Sequence, residues 1–298
     1  MTQHSSIRPR VSLIERAAKA YDFRAALEAS DAAPEPVRSA AAADEAAPAV
    51  DPAWKAAPFE GRLGRIARDQ LAERGFIIPD AAPSVLAEEY RIIKRELLLD
   101  ADTIARGRVI LVASGASGEG KTFSAVNLAL SCAQERDIEV VLVDADVAKP
   151  EVLATLGLDN GPGLLDALAD PTVRIEDCLI RTDVPNLVVL PAGTARNEAT
   201  ELLASGRTKA LLEGLIAANP RRLVILDSPP ALAASPASVL ALVAGQALVV
   251  VRADKTPERA LRETVALLNH CPQIRLLLNS VEYAGSSRRF GSYYGQVQ

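Results

Sequence analysis

Gly115-Ala116-Ser117-Gly118-Glu119-Gly120-Lys121-Thr122 stands between an apolar, β-branched run, RVILVAS (108–114), and a helical stretch beginning at Thr122, TFSAVNLALSCAQE. The octapeptide fits G-x-x-x-x-G-K-[ST], and a strand before it with a helix after it is the context that its chemistry requires. Its glycines let backbone N–H groups converge on phosphate oxygens, and the helix N-terminus adds positive potential. Lys121 then reaches the outer phosphates, and the Thr122 hydroxyl can ligate magnesium. The phosphate- and nucleotide-binding set read from the motif is Gly115, Ser117, Gly118, Glu119, Gly120, Lys121, Thr122 and Phe123.

Outward from this motif, helical stretches alternate with the runs RVILVAS, IEVVLVDAD, NLVVLPAG, RLVILDSPP, QALVVVRAD and IRLLLNS. These runs are nearly continuous in apolar character, as parallel strands are when helices cover both faces of their sheet. The pattern predicts a three-layer α/β/α P-loop NTPase domain with a mostly parallel sheet and a ligand site at the carboxyl ends of the strands. Asp144 and Asp146 end the second run and Asp227 the fourth. A lone strand-end Asp is usually a cap or turn residue. Three of them beside a phosphate loop suit a magnesium nucleotide, which needs carboxylates to hold the metal and its waters. Asn279, at the end of IRLLLNS, reads either as an adenine contact or as a turn residue.

With 298 residues, 49% of them hydrophobic, the chain can bury a sizeable core. A net charge of -5 gives no global attraction to nucleic acid, and no nucleic-acid partner is expected. Cys132, Cys178 and Cys271 lie far apart in apolar stretches and read as reduced thiols, which favours the cytosol. His4 and His270 are the only histidines, so a histidine triad or multi-histidine metal site is not expected. The first residues do not read as a secretory signal. The uncharged stretch 229–251 is interrupted by Pro236 and by Gly245-Gln246. It divides into a loop, a short helix and a buried strand better than it forms a membrane span, so membrane contact is expected through a partner.

Residues 1–29 place Val11, Ile14, Ala18 and Tyr21 at helical spacing, as in an amphipathic docking helix. Residues 30–60 are dominated by Ala, Pro, Asp and Glu and read as a disordered linker. The phosphate-loop domain is expected over 61–285, with SVLAEEYRIIKRELLL opening a long helix capped at or near Ser84. Residues 286–298, rich in Gly, Ser and Tyr, read as a flexible tail.

With these residues in place, the chain resembles the bacterial tyrosine autokinases, and specifically the exosortase-associated group found with exopolysaccharide synthesis. The resemblance runs through SLIERA, LAEEYRIIKRELL, SGASGEGKTFSAVNLA, VVLVDADVAKP, GPGLLDAL, NLVVLPAGTARNEATELLAS, LVILDSPPAL and GSYYG. It implies ATP and Mg2+ as cofactors, with Thr122, Asp144 and Asp227 toward the metal and Lys121, Asp144 and Asp146 as the catalytic set. Asp144 would assist deprotonation of the acceptor hydroxyl. The implied acceptors are Tyr293 and Tyr294, with Tyr283 a lesser third.

The broader family assembles rings through a helical Glu-x-x-Arg-x-x-Arg, matched here by Glu88, Arg91 and Lys94, so that one subunit presents its tail to the next. Lys94 lacks the bidentate fork of Arg. A second departure is Ala148 followed by Lys149-Pro150, where relatives tend to carry Arg. The resemblance also implies an activating membrane chain-length-determinant partner, and hence a cytoplasmic protein peripheral at the inner membrane. Two other readings share the fold. One is a positioning ATPase of the ParA and MinD type, whose signature lysine after the first loop glycine is replaced here by Ala116. The other is a nucleotide-binding adaptor of a polysaccharide export complex.

Overall fold

Val109–Ser114 and Arg222–Asp227 are buried along their whole length, which apolar β-branched runs tolerate only when both faces of the sheet are covered. In the computed structural model, which describes residues 61–281, these two runs are neighbours near the middle of an eight-stranded sheet. The strands are β1 (Arg62–Gly64), β2 (Val109–Ser114), β3 (Glu139–Asp144), β4 (Ile180–Thr182), β5 (Leu187–Leu190), β6 (Arg222–Asp227), β7 (Gln246–Arg252) and β8 (Gln273–Asn279). Their order across the sheet is β1-β4-β5-β3-β6-β2-β7-β8. All pairs are parallel except β4 with β5.

The helices are α1 (Arg68–Glu73), α2 (Val85–Ala101), α3 (Lys121–Cys132), α4 (Val152–Leu156), α5 (Leu164–Ala169), α6 (Ala199–Ala204), α7 (Gly206–Ala218), α8 (Pro236–Ala241) and α9 (Glu258–Leu267). Successive strand residues point to opposite faces. Ile110, Val112, Val140 and Leu142 accordingly join a core with Tyr90 and Leu97 of α2 and Val126 of α3. Leu111, Ala113, Val141 and Val143 join a second core with Leu165, Leu212 and Leu240 on the other side. These are the three layers expected from the sequence.

The Ser84 Oγ caps α2 by accepting from Ala87 N at 3.1 Å. Stretch 229–251 becomes a loop, then α8 with Pro236 in its first turn, then β7. Among the described residues, no helix is long and apolar enough to cross a membrane. The three cysteines are buried and free. The expected N-terminal helix and linker, and the tyrosines Tyr283, Tyr293 and Tyr294, lie outside the described residues.

Candidate nucleotide and phosphoryl-transfer site

The phosphate loop leaves β2 at Ser114, whose Oγ donates to Ala116 O at 2.8 Å. It enters α3 through Gly120 at φ 99°, a left-handed conformation open to glycine. A Cβ there would also stand 2.1 Å from Asn279 Nδ2. The loop is clamped from outside by the strands beyond it. Asn279 Nδ2 donates to Glu119 O at 2.9 Å and Arg252 Nη1 to Gly118 O at 3.1 Å. The Glu119 carboxylate accepts from Ala116 N at 3.0 Å and from the Thr256 hydroxyl.

With those groups engaged, the backbone N–H groups of Ser117, Gly118, Glu119 and Gly120 have no acceptor among the described residues. Unpaired amides converging at a helix N-terminus are what a phosphate binds. Sequence reading missed Arg252 and Thr256. Asn279 is brought to the loop itself, with Nδ2 on Glu119 and Oδ1 accepting from Ser280 N at 2.9 Å, so its side chain braces both the loop and a turn.

Behind the loop, Asp144 and Asp227 are register partners at the ends of adjacent parallel strands. Both are fully buried. Asp144 Oδ2 accepts from Val152 N at 3.0 Å, while Asp144 Oδ1 and both oxygens of Asp227 have no hydrogen-bond partner. Burial pushes the Asp227 carboxyl up to about 7, against the lowering effect of the neighbouring Thr122 hydroxyl and Lys121. Although Thr122 is near enough to act on Asp227, the pair does not reach normal hydrogen-bond geometry. Burial, with the Asp227 charge added, pushes Asp144 up to about 8. Asp146 is also raised by burial, while Lys121 pulls it down.

Three buried carboxylate oxygens without a partner are a costly arrangement unless a cation or its bound waters complete it. Together with the Thr122 hydroxyl they fit magnesium, which takes one or two protein oxygens and completes its octahedron with water and phosphate. Among the described residues, no group of three or more acidic, His or Cys residues is placed to hold a metal ion. In front of the loop lies a cavity of about 320 Å³, lined among others by Lys121, Asp146, Lys149, Glu151, Arg74 and Phe76.

Residues 107–281, more than half of the chain, match the AAA domain family. The tyrosine-protein kinase YwqD of Bacillus subtilis is 30% identical over 204 residues, covering 68% of this chain and 84% of that protein. The chain belongs to the bacterial tyrosine-protein kinases. EpsB of Ralstonia nicotianae, a putative tyrosine-protein kinase, is 34% identical over 195 residues. That match covers 64% of this chain, which spans only 25% of the length of EpsB. Among solved structures, the VpsO kinase domain is similar at 31% identity and a TM-score of 0.55, covering 64% of this chain and 93% of that one.

For this tyrosine-kinase family member, the structure corrects one expectation about the assembly helix. Glu88 and Arg91 pair with each other on α2 and remain partly accessible. Lys94 does not join them on a charged contact surface. Its ammonium is buried, pairs with Glu135 at 2.6 Å and donates to Ser131 O at 2.9 Å, fastening α2 to the last turn of α3. The physical reason is helical pitch: each three-residue step falls about 60° short of a full turn, so Lys94 is rotated roughly 120° from Glu88, into the helix contact.

Proposed function

We infer that the chain transfers the γ-phosphoryl group of ATP to tyrosines of its own C-terminal segment, Tyr293 and Tyr294, with one copy serving another. The observation that carries this reading is the corner where Thr122, Asp227 and Asp144 meet beneath a loop of unpaired amides. Lys121, buried at the cavity floor, holds the outer phosphates. Asp227 and Thr122, with Asp144 beside them, would hold Mg2+. Bound there, the metal would supply neutralising charge to the outer phosphates.

In the transfer, the bond from the γ-phosphorus to the ADP oxygen breaks and a bond from that phosphorus to the tyrosyl oxygen forms. Asp144, at the end of the strand beside Asp227, receives the phenolic proton. Asp146, under the pull of Lys121, keeps that ammonium aimed into the cavity.

Glu88 and Arg91 serve the contact between copies, without Lys94. The family resemblance supports a role in exopolysaccharide synthesis and export, including chain length. The same resemblance supports a membrane chain-length-determinant protein as activator and a cytoplasmic position at the inner membrane through it. The reading is tested by incubating the purified chain and its Lys121→Met variant with magnesium and ATP and detecting phosphotyrosine. The expected result is phosphotyrosine in the parent chain alone; equal signal from the variant sinks the site assignment.

A further inference from the structure

Arg74 lies outside the segment 107–281 matched by the AAA family and outside the motif-derived site, yet it lines the same cavity as the phosphate loop. It is the cap residue directly after α1, and two contacts hold it there. Its Cζ is 5.5 Å from the Phe76 ring centroid, and Nη1 donates to Thr155 Oγ1 at 3.4 Å. Phe76 is itself anchored on Phe123, ring centroids 4.8 Å apart, one residue beyond the loop threonine Thr122. α1 is further tied to α4, the helix carrying Thr155, through Ala67 N donating to Leu156 O at 2.9 Å. The position of Arg74 is therefore set by both the phosphate-loop helix and the segment after Asp146.

Among the described residues, Arg74 forms no ion pair, whereas the other peripheral cation of the cavity, Lys149, is taken by Glu151 at 2.7 Å. An exposed guanidinium with most of its N–H groups uncommitted among the described residues, on the wall of a cavity that the phosphate loop also lines, is available to an anion. A guanidinium presents a planar fork that fits two phosphate oxygens at once, whereas Lys121 contributes a point charge. The inner phosphates belong to the loop amides. A cation that lines the same cavity from outside the loop is then left the terminal phosphate.

We propose that Arg74 contacts the outermost phosphate of the bound nucleoside triphosphate, a cation supplied in cis by α1 that distinguishes tri- from diphosphate. This rests on the nucleotide-site reading above. Its consequence is that residues 61–83, beyond the AAA-matched core, take part in the site.

The test is calorimetric titration of the full chain with Mg-ATP and with Mg-ADP, for the parent, Arg74→Met and Arg74→Lys. A charge-assisted bidentate contact corresponds to about tenfold or more in affinity. Arg74→Met should therefore lower the ATP-over-ADP affinity ratio by roughly that factor and leave ADP affinity within about twofold, while Arg74→Lys restores part of the ratio. Thermal melts of each variant check folding; Arg74 is exposed, and both substitutions should leave the melt in place. A parent ratio of one, a ratio unchanged in Arg74→Met, or equal weakening of both nucleotides overturns the proposal while leaving the nucleotide site standing. A parent chain that binds neither nucleotide overturns the site reading itself.

Discussion

Asp227→Asn tests how the buried acidic corner balances stability against ligand binding. In the folded chain the Asp227 carboxyl is raised from its ordinary 3.8 to about 7, with burial as the largest cause. A carboxyl whose folded value exceeds its unfolded one gives its full stability below about pH 4 and loses it as the pH rises through about 7. At about 1.4 kcal/mol per pH unit, a rise of roughly three units corresponds to on the order of 4 kcal/mol lost by pH 8. Asparagine stays neutral and escapes that loss, but leaves a buried amide without a partner, costing about 1–3 kcal/mol.

The net expectation at pH 8, without ligand, is a variant more stable than the parent by about 1–3 kcal/mol. That corresponds to roughly 2–10 °C in Tm for a domain of this size. The advantage should shrink or reverse near pH 5. Scanning calorimetry over this pH range, with and without Mg-ATP, reads both effects: the parent should gain Tm with Mg-ATP and the variant should not. Parallel pH dependence of the two proteins, with the variant no more stable at pH 8, would refute the argument that Asp227 is held in an unfavourable charged state awaiting a cation.

Three further outcomes follow from the same geometry. Gly120→Ala forces a side chain into φ 99° against Asn279, so it should cost about 1–2 kcal/mol in chemical denaturation and abolish detectable nucleotide binding in the titration above. Arg222 is buried, with Nε on Glu139 at 2.7 Å and its fork on Glu176, at the sheet end remote from the loop. Arg222→Ala removes the cation shared by the two acids, leaving Glu139 with Asn219 Nδ2 at 3.1 Å and Arg181 at 3.9 Å, and should cost about 3 kcal/mol by urea titration, with ATP affinity kept in the folded fraction. Arg91→Glu should shift the oligomer distribution in analytical ultracentrifugation, whereas Lys94→Met should leave it unchanged and alter only the melt; the opposite pattern would return Lys94 to the contact surface.

The strands that build the site could be read from sequence because each is a run of β-branched residues long enough to declare itself. β1 and β4 could not: each has three residues, and Leu63 of β1 is 83% exposed, so no apolar pattern marks them. The phosphate loop and the three strand-end aspartates were legible because each is local to one strand–turn–helix unit or one strand end. What escaped was set by sheet order. Placing β7 beside β2, and β8 beside β7, brings Arg252, Thr256 and Asn279 onto a loop more than 130 residues earlier in the chain. Arg74 arrives from the other side through aromatic packing that carries no motif. Lys94 shows the converse difficulty, since spacing places residues along a helix without saying which of them its neighbour covers.

The central claim is met most directly by mapping phosphorylated residues by mass spectrometry after incubating the full chain with Mg-ATP, with and without the cytoplasmic segment of a membrane chain-length-determinant partner. Mixing a Lys121→Met chain, as acceptor, with a Tyr293→Phe/Tyr294→Phe chain, as donor, isolates transfer between copies. Phosphate is expected on Tyr293 or Tyr294 of the Lys121→Met chain in the mixture and none when that chain is incubated alone. Nucleotide binding or turnover with no phosphotyrosine in any arm would contradict it.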